Sequence, residues 1–218
     1  MEKAYVKSAT QHGLCSIEFF HPQSNSLPGA LLQELAATIR EAGKNAACRL
    51  ILLRSQGQKA FCAGASFDEL SQLKNEQEGL QFFSGFAEVI NAMRTCGKII
   101  VGRIHGKCVG GGVGLAAAVD YALATEEAAV KLSELAVGIG PFVVGPAVER
   151  KIGLSAFSQL ALDAPDRLTT SCRLTFLSAP ESEVSDRRST SSAAGETAVL
   201  AVIAVEAKDR VSASVLSS

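Results

Sequence analysis

Two glycine-containing segments of this chain could hold a negatively charged oxygen with backbone groups alone. Residues 110–114, Gly-Gly-Gly-Val-Gly, precede an alanine-rich stretch that is predicted to be helical. Glycines at a helix N-terminus leave N–H groups exposed at the positive end of the helix dipole. Ala63-Gly64-Ala65 precedes a second predicted helix and offers a similar donor. Two converging donors of this kind form an oxyanion hole.

Two other interpretations of the glycine run remain open. Residues 112–117 match the G-x-G-x-x-A pattern of dinucleotide-binding sites. In such sites, however, the glycines follow the first strand directly, whereas residues 105–109 intervene here, and no lysine followed by Ser or Thr completes a phosphate loop. The simplest interpretation is that the glycines only let a helix pack closely on a sheet.

Strand and helix patterns alternate around these segments. Two β-rich stretches joined by a short turn, residues 6–10 and 15–20, predict a hairpin. Three further strands are predicted at residues 48–54, 98–104 and 121–125. This alternation predicts an α/β fold with a largely parallel sheet.

Local signals predict where the helices between the strands begin and end. Ser26 offers a cap for the first helix, and Gly43 stands where a C-terminal glycine would end it. Ser66 and Glu69 form a capping box for the next helix. An apolar stripe at helical spacing predicts another helix that ends before Gly97, with Phe82, Phe86, Val89, Ile90 and Met93 as its members.

Composition excludes several classes of partner. The 218 residues carry 21 basic and 22 acidic side chains without a block of like charge, so neither nucleic acid nor a membrane surface is an expected partner. The longest apolar runs stop near eight residues, far short of the ~20 that span a bilayer. The N-terminus has no apolar stretch typical of a secretory signal. Six cysteines without a C-x-x-C pair are typical of a reducing compartment, so we expect a cytoplasmic protein without a metal site.

The character of the chain changes near residue 164. Sixteen of the last 54 residues are Ser or Thr, and the amphipathic periodicity is lost. We therefore expect residues 1–163 to form the folded core and residues 164–218 to form a poorly ordered tail. Our hypothesis is that the abrupt change marks a frameshifted, truncated or alternatively spliced C-terminus.

Three segments resemble the signatures of the enoyl-CoA hydratase/isomerase (crotonase) superfamily. They are residues 60–70 (Ala-Phe-Cys-Ala-Gly-Ala-Ser-Phe-Asp-Glu-Leu), 104–114 (Ile-His-Gly-Lys-Cys-Val-Gly-Gly-Gly-Val-Gly) and 131–141 (Lys-Leu-Ser-Glu-Leu-Ala-Val-Gly-Ile-Gly-Pro). Residues 21–27 resemble the early turn of the family, so the likeness covers about residues 4–163. The resemblance implies a crotonase-like core of ββα units, with the atypical tail in place of the usual helical trimerisation region.

The resemblance also implies a site and its ligand. The backbone N–H groups of Ala65 and Gly111 would form the oxyanion hole for the thioester oxygen of an acyl-CoA substrate. Ala63, Gly64, Gly110 and Gly114 would line the substrate site. Coenzyme A would be part of the substrate, so no separate cofactor is expected, and the family implies a homotrimer or hexamer.

Of the two catalytic glutamate positions of the family, only one holds a glutamate here. The second position falls on Glu134, and the first falls on Gly114. Hydration in this family uses two carboxylates, whereas moving a double bond needs one group that removes a proton and returns it elsewhere. We therefore expect Glu134 to act as general acid and base in an isomerase-type enzyme or a divergent hydratase, with a methylglutaconyl-like acyl group among the candidates. The alternative is a catalytically weak acyl-CoA-binding protein.

Overall fold

The computed structural model describes residues 2–162, which form ten strands, six α-helices and one 3₁₀ helix. The strands are β1 (Tyr5–Gln11), β2 (Leu14–Phe20), β3 (Ser26–Leu27), β4 (Leu50–Ser55), β5 (Ala60–Cys62), β6 (Gly64–Ala65), β7 (Ile99–Ile104), β8 (Lys107–Val109), β9 (Tyr121–Ala124) and β10 (Val130–Lys131). The helices are α1 (Gly29–Lys44), α2 (Phe67–Leu70), α3 (Glu76–Thr95), α4 (Gly111–Ala118), α5 (Gly145–Ile152) and α6 (Leu154–Leu162). The 3₁₀ helix is Glu134–Val137.

The main sheet has five strands in the order β1-β2-β4-β7-β9. β1 and β2 form the predicted antiparallel hairpin, and the other three pairings are parallel, as predicted. A second, parallel sheet has the order β10-β8-β5, and β3 pairs with β6. Crossovers between the parallel strands run through helices, which explains why strand and helix patterns alternate in the sequence.

The core lies between the main sheet and the helices. Ile17, Phe19, Ile51 and Leu53 of the sheet are fully buried, and Leu35 of α1 is buried in the same cluster. α3 packs against both α1 and α4. The predicted apolar stripe of α3 is buried from Phe86 onward, but Phe82 is only half-buried. The stripe therefore faces the core at one end only.

The predicted boundaries of the first helix need two corrections. α1 has Pro28 at its N-cap position, and Ser26 belongs to strand β3 instead of capping the helix. Gly43 lies inside α1, where a Cβ atom would come within 2.5 Å of the Cys96 carbonyl oxygen. Its role is therefore a close approach between α1 and the end of α3, and the helix continues to Lys44.

The capping box is half confirmed. The Ser66 hydroxyl accepts a hydrogen bond from the Glu69 backbone N–H (3.3 Å), as predicted. The Glu69 carboxylate, however, accepts a hydrogen bond from the Gly29 backbone N–H at the start of α1 (2.9 Å). The side chain predicted to close a local box thus joins α2 to α1.

Some expectations lie partly or wholly outside the described residues. The proposed tail, residues 164–218, and Cys172 are among these. The other five cysteines are free thiols. Within residues 2–162, no helix is long and apolar enough to cross a membrane.

One buried side chain, Asn25, fixes the loop that leads into β5. It is 2% exposed, and its amide nitrogen donates to the carbonyl oxygens of Gln56 (2.8 Å) and Ala60 (2.9 Å). Its amide oxygen accepts from the His21 N–H (2.8 Å), and its backbone carbonyl accepts from Ala63 (3.2 Å). Its φ of 58° lies in the left-handed region, which asparagine tolerates better than most residues.

We expect Asn25→Ala to lower the free energy of unfolding by about 3 kcal/mol, because it leaves three backbone groups without partners and puts alanine at a positive φ. Urea unfolding followed by circular dichroism measures this loss. Gln23→Ala is the matched control, because Gln23 is exposed in the same turn. It should change stability by less than about 0.5 kcal/mol. Equal effects of the two variants would contradict the role of Asn25.

Candidate active site

The two predicted donor segments come together at the ends of neighbouring strands. β5 and β8 are parallel, with Cys62 paired to Cys108. Ala65 and Gly111 each lie three residues beyond these paired cysteines. A Cβ atom placed on Gly64 would lie 3.6 Å from the Gly111 backbone nitrogen. The parallel pairing therefore brings the two donor segments into direct contact.

Only glycine permits this contact. Gly64 and Gly110 have positive φ values of 94° and 50°, and a Cβ atom on Gly64 would also press on the Val109 carbonyl oxygen at 2.9 Å. A Cβ atom on Gly112 would overlap the Cys62 carbonyl oxygen. The close-packing interpretation of the glycine run is therefore correct for Gly112. It is compatible with an anion-binding role for Gly111, which begins α4.

A cavity of about 850 Å³ opens at this junction. Of the seven predicted site residues, six line it: Ala63, Gly64, Ala65, Gly110, Gly111 and Glu134. The remaining lining comes from Ser26, from α2, from α3 and from residues within 133–144. The structure thus gathers residues from five separate parts of the sequence around one space.

Glu134 lies at the start of the 3₁₀ helix, beside the glycine run. Its Oε1 atom lies 3.6 Å from where a Cβ atom of Gly110 would be. Its Oε2 atom is buried and has no hydrogen-bond partner among the described residues. Burial raises the pKa of this carboxyl above its ordinary value. A carboxyl group that lines a cavity in this way can exchange a proton with a bound ligand.

Gly114 does not line the cavity. It is buried in α4, and a Cβ atom there would lie 2.6 Å from Val144 Cγ1 and 3.1 Å from Ile90 Cδ1. Val144 lines the cavity and fills the space in front of Gly114. In this packing no side chain, and in particular no second carboxylate, fits at position 114.

Two features of the site are not apparent from the sequence. Ser26 lines the cavity, and its hydroxyl donates a hydrogen bond to the Ala65 carbonyl oxygen (2.9 Å). The local sequence around Ser26 predicts a helix cap and gives no indication of this hydrogen bond. Phe82 and Phe86 are predicted only as members of an apolar helical stripe, yet both line the cavity. Helical spacing identifies one face of a helix but not the surface that this face meets.

Comparison with known proteins identifies the family. The family model described as enoyl-CoA hydratase/isomerase matches residues 9–166. The crystal structure of an enoyl-CoA hydratase/isomerase from Marinobacter aquaeolei matches with a TM-score of 0.70 and 25% identity, covering 83% of this chain and 73% of that one. An enoyl-CoA hydratase from Mycobacterium smegmatis matches with a TM-score of 0.69 and 25% identity, covering 72% and 62%. The chain belongs to the enoyl-CoA hydratase/isomerase family, and its core has the crotonase-like fold.

The relatives differ in the reactions that their names give. The mitochondrial 3-hydroxyisobutyryl-CoA hydrolase of Bos taurus is 32% identical over 135 residues, which cover 59% of this chain and 35% of the relative. This chain spans between about a third and a half of the length of the curated relatives that it matches. The family is therefore established, and the reaction has to be argued from the site.

Packing at Gly114 predicts opposite effects for two glycine substitutions within helices. Gly114→Ala should destabilise the protein by about 1–3 kcal/mol, because the new methyl group would overlap Val144. The control is Gly79→Ala in α3, where nothing lies within 4 Å of the new methyl group. That variant should gain about 0.5–1 kcal/mol, since alanine favours a helix. Urea unfolding measures both, and a stabilised Gly114→Ala protein would contradict the packing.

Burial of Glu134 predicts how stability depends on pH. The raised pKa means that the native state holds this proton more tightly than the unfolded chain does. Stability is therefore lost as the pH rises from the ordinary carboxyl range through the raised native pKa. Glu134→Gln cannot ionise, so it should be more stable than the unsubstituted protein above this window and equally stable below it. Unfolding free energies at a series of pH values test this, and a difference independent of pH would show that burial does not shift the pKa.

Proposed function

We propose that this chain binds an acyl-CoA thioester in the 850 Å³ cavity and transfers a proton through Glu134. One observation carries the proposal. Glu134 is the only charged residue in the described lining of the cavity, and its buried Oε2 atom has no partner. A buried carboxyl oxygen without a partner costs stability, and a reaction that uses the proton of this group explains why it is present.

The backbone donors would act on the thioester oxygen. Removal of a proton next to a thioester carbonyl produces an enolate, whose negative charge lies largely on oxygen. N–H groups of Ala65 and Gly111 directed at that oxygen would stabilise the enolate, by about 3–4 kcal/mol for each donor. The contact between Gly64 and Gly111 supports this assignment, because it holds the two donor segments against each other.

A single carboxylate favours movement of a double bond. The Glu134 carboxylate would remove a proton from C2 of a 3-enoyl thioester, forming the enolate. The resulting carboxylic acid would return the proton to C4, which leaves the double bond between C2 and C3 and regenerates the carboxylate. This sequence consumes no water. The absence of space at Gly114 supports it, since no second carboxylate can stand there.

A divergent hydratase would need another group to position water. In the described lining, the hydroxyls of Ser26 and Ser133 are the side chains that could do so. The name of the bovine relative adds thioester hydrolysis to the reactions worth assaying. A weak acyl-CoA-binding protein remains the alternative outcome, and it predicts binding without any of these reactions.

Two further proposals concern the protein as a whole. We place it in the cytoplasm, because the five described cysteines are free thiols. The homotrimer or hexamer that the family implies remains a prediction, and light scattering on the full chain tests it.

Glu134→Gln should reduce kcat by about 10²- to 10⁴-fold and leave acyl-CoA affinity nearly unchanged, because it removes proton transfer and keeps the shape of the side chain. The assay is a panel of 3-enoyl- and 2-enoyl-CoA substrates, followed for double-bond migration, hydration and release of free CoA. Glu126→Gln is the control, because Glu126 is exposed and lies outside the cavity. Unchanged turnover in Glu134→Gln would exclude Glu134 as the base. Binding without turnover in the unsubstituted protein would establish the weak acyl-CoA-binding alternative.

A further inference from the structure

The walls of the cavity beyond the glycine loops are aromatic. Five phenylalanines line it: Phe67 from α2, Phe82, Phe83 and Phe86 from α3, and Phe142 from the loop before α5. They come from three separate segments and converge on one space. The apolar lining is therefore built by several segments of the chain and is not the face of one helix.

The aromatic surface begins next to the predicted oxyanion donors. The Phe86 ring is buried and packs directly on Gly111, within 2.6 Å of where a Cβ atom of Gly111 would be. Phe82 and Phe83 stand edge to face, with ring centroids 5.1 Å apart and an interplanar angle of 86°. Any acyl group whose thioester oxygen meets Gly111 therefore lies beside aromatic rings from its first carbons.

The rings at the outer part of this lining are exposed to solvent. Phe67 is 68% exposed and Phe142 is 84% exposed. Exposed apolar surface that lines a concave site is typical of a surface that an apolar ligand covers. A short acyl group held at Gly111 would leave these two rings in water, whereas a larger one would cover them.

The described part of the lining contains no positive charge to receive a second carboxylate on the substrate. Among the described residues around the cavity, Glu134 is the only charged side chain, and the remaining side-chain polar groups are the hydroxyls of Ser26 and Ser133. A dicarboxylic acyl group would place an unpaired negative charge among aromatic rings and near Glu134. Burial of an unpaired charge is strongly unfavourable.

We propose that the acyl group of the substrate is large, uncharged and apolar, and that Phe67 and Phe142 select for it. This proposal rests on the proposed function, since it assumes that an acyl-CoA occupies the cavity. It disfavours the methylglutaconyl-like acyl group considered from the sequence, which carries a second carboxylate. A medium-length aliphatic chain and an arylalkyl group share the required chemistry, and the experiment separates them.

Binding of saturated acyl-CoAs, which cannot undergo double-bond migration or hydration, tests the proposal on the full chain. Isothermal titration calorimetry would compare CoA, butanoyl-CoA, decanoyl-CoA, phenylpropanoyl-CoA and 3-methylglutaryl-CoA. Decanoyl-CoA should bind at least about tenfold more tightly than butanoyl-CoA, because burial of two of its additional methylenes already gives that factor. Tighter binding of phenylpropanoyl-CoA than of decanoyl-CoA would identify the arylalkyl class, and the reverse would identify the aliphatic class. 3-Methylglutaryl-CoA should bind no more tightly than CoA itself.

Two results would overturn the proposal, and they are distinguishable from failure of the proposed function. Equal affinities for butanoyl-CoA and decanoyl-CoA, or tightest binding of 3-methylglutaryl-CoA, would refute the acyl selectivity while leaving an acyl-CoA site. If no acyl-CoA binds more tightly than CoA, the proposed function fails and the acyl selectivity fails with it.

Substitutions of the two exposed phenylalanines test the proposal without disturbing the fold, because exposed side chains contribute little to stability. Phe67→Ser and Phe142→Ser should each weaken decanoyl-CoA binding by about threefold or more and leave butanoyl-CoA binding unchanged, because only the longer chain covers these rings. Leu80→Ser is the matched control, since Leu80 is 70% exposed on α3 but does not line the cavity. Equal losses for both ligands, or an equal loss in Leu80→Ser, would refute the role of the two phenylalanines.

Discussion

The site depends on how closely two parallel strands approach each other at their ends. Beyond the pairing of Cys62 with Cys108, the chain turns into two loops whose backbones touch, with Gly112 against the Cys62 carbonyl group. A side chain at this contact would separate the loops and move both predicted donors. Backbone packing thus fixes the positions of the donors before a ligand binds. Electrostatic stabilisation of a transition state requires donors that are already in place in this way.

The sequence predicts the elements of the main sheet and the helices around it better than it predicts what each residue contacts. Apolar periodicity and turn residues depend on local geometry, so the five strands of the main sheet and helices α1 to α4 could be predicted. The short strands outside the main sheet and helices α5 and α6 were not predicted. Ser26, Gly43 and Glu69 were assigned to local capping, yet each makes a contact with a segment distant in sequence. The family motifs brought six cavity residues together, but Gly114 could be placed behind Val144 only with the structure. Short-range patterns contain no information about such distant neighbours.

Two opposing influences act on Glu134. It lies close to Gly110, at the N-terminus of α4, where the helix dipole favours a negative charge. Burial of its carboxyl group favours the neutral form and raises the pKa, although hydrogen bonds from the backbone of Glu134 and Ser133 act in the opposite direction. A ligand that further excludes water from the cavity would increase the effect of burial. Occupancy of the site would therefore make Glu134 a stronger base once it is ionised.

The start of α1 is attached to the donor segment at two points. Ser26 bonds to Ala65 just before the helix begins, and Glu69, four residues beyond Ala65, accepts the N–H of Gly29. Each of these two hydrogen bonds joins residues that are about 40 positions apart in the sequence. A shift of the first turn of α1 along its axis would be transmitted to Ala65 as a displacement. The geometry of one oxyanion donor is therefore mechanically coupled to a helix whose buried residues have no contact with the cavity.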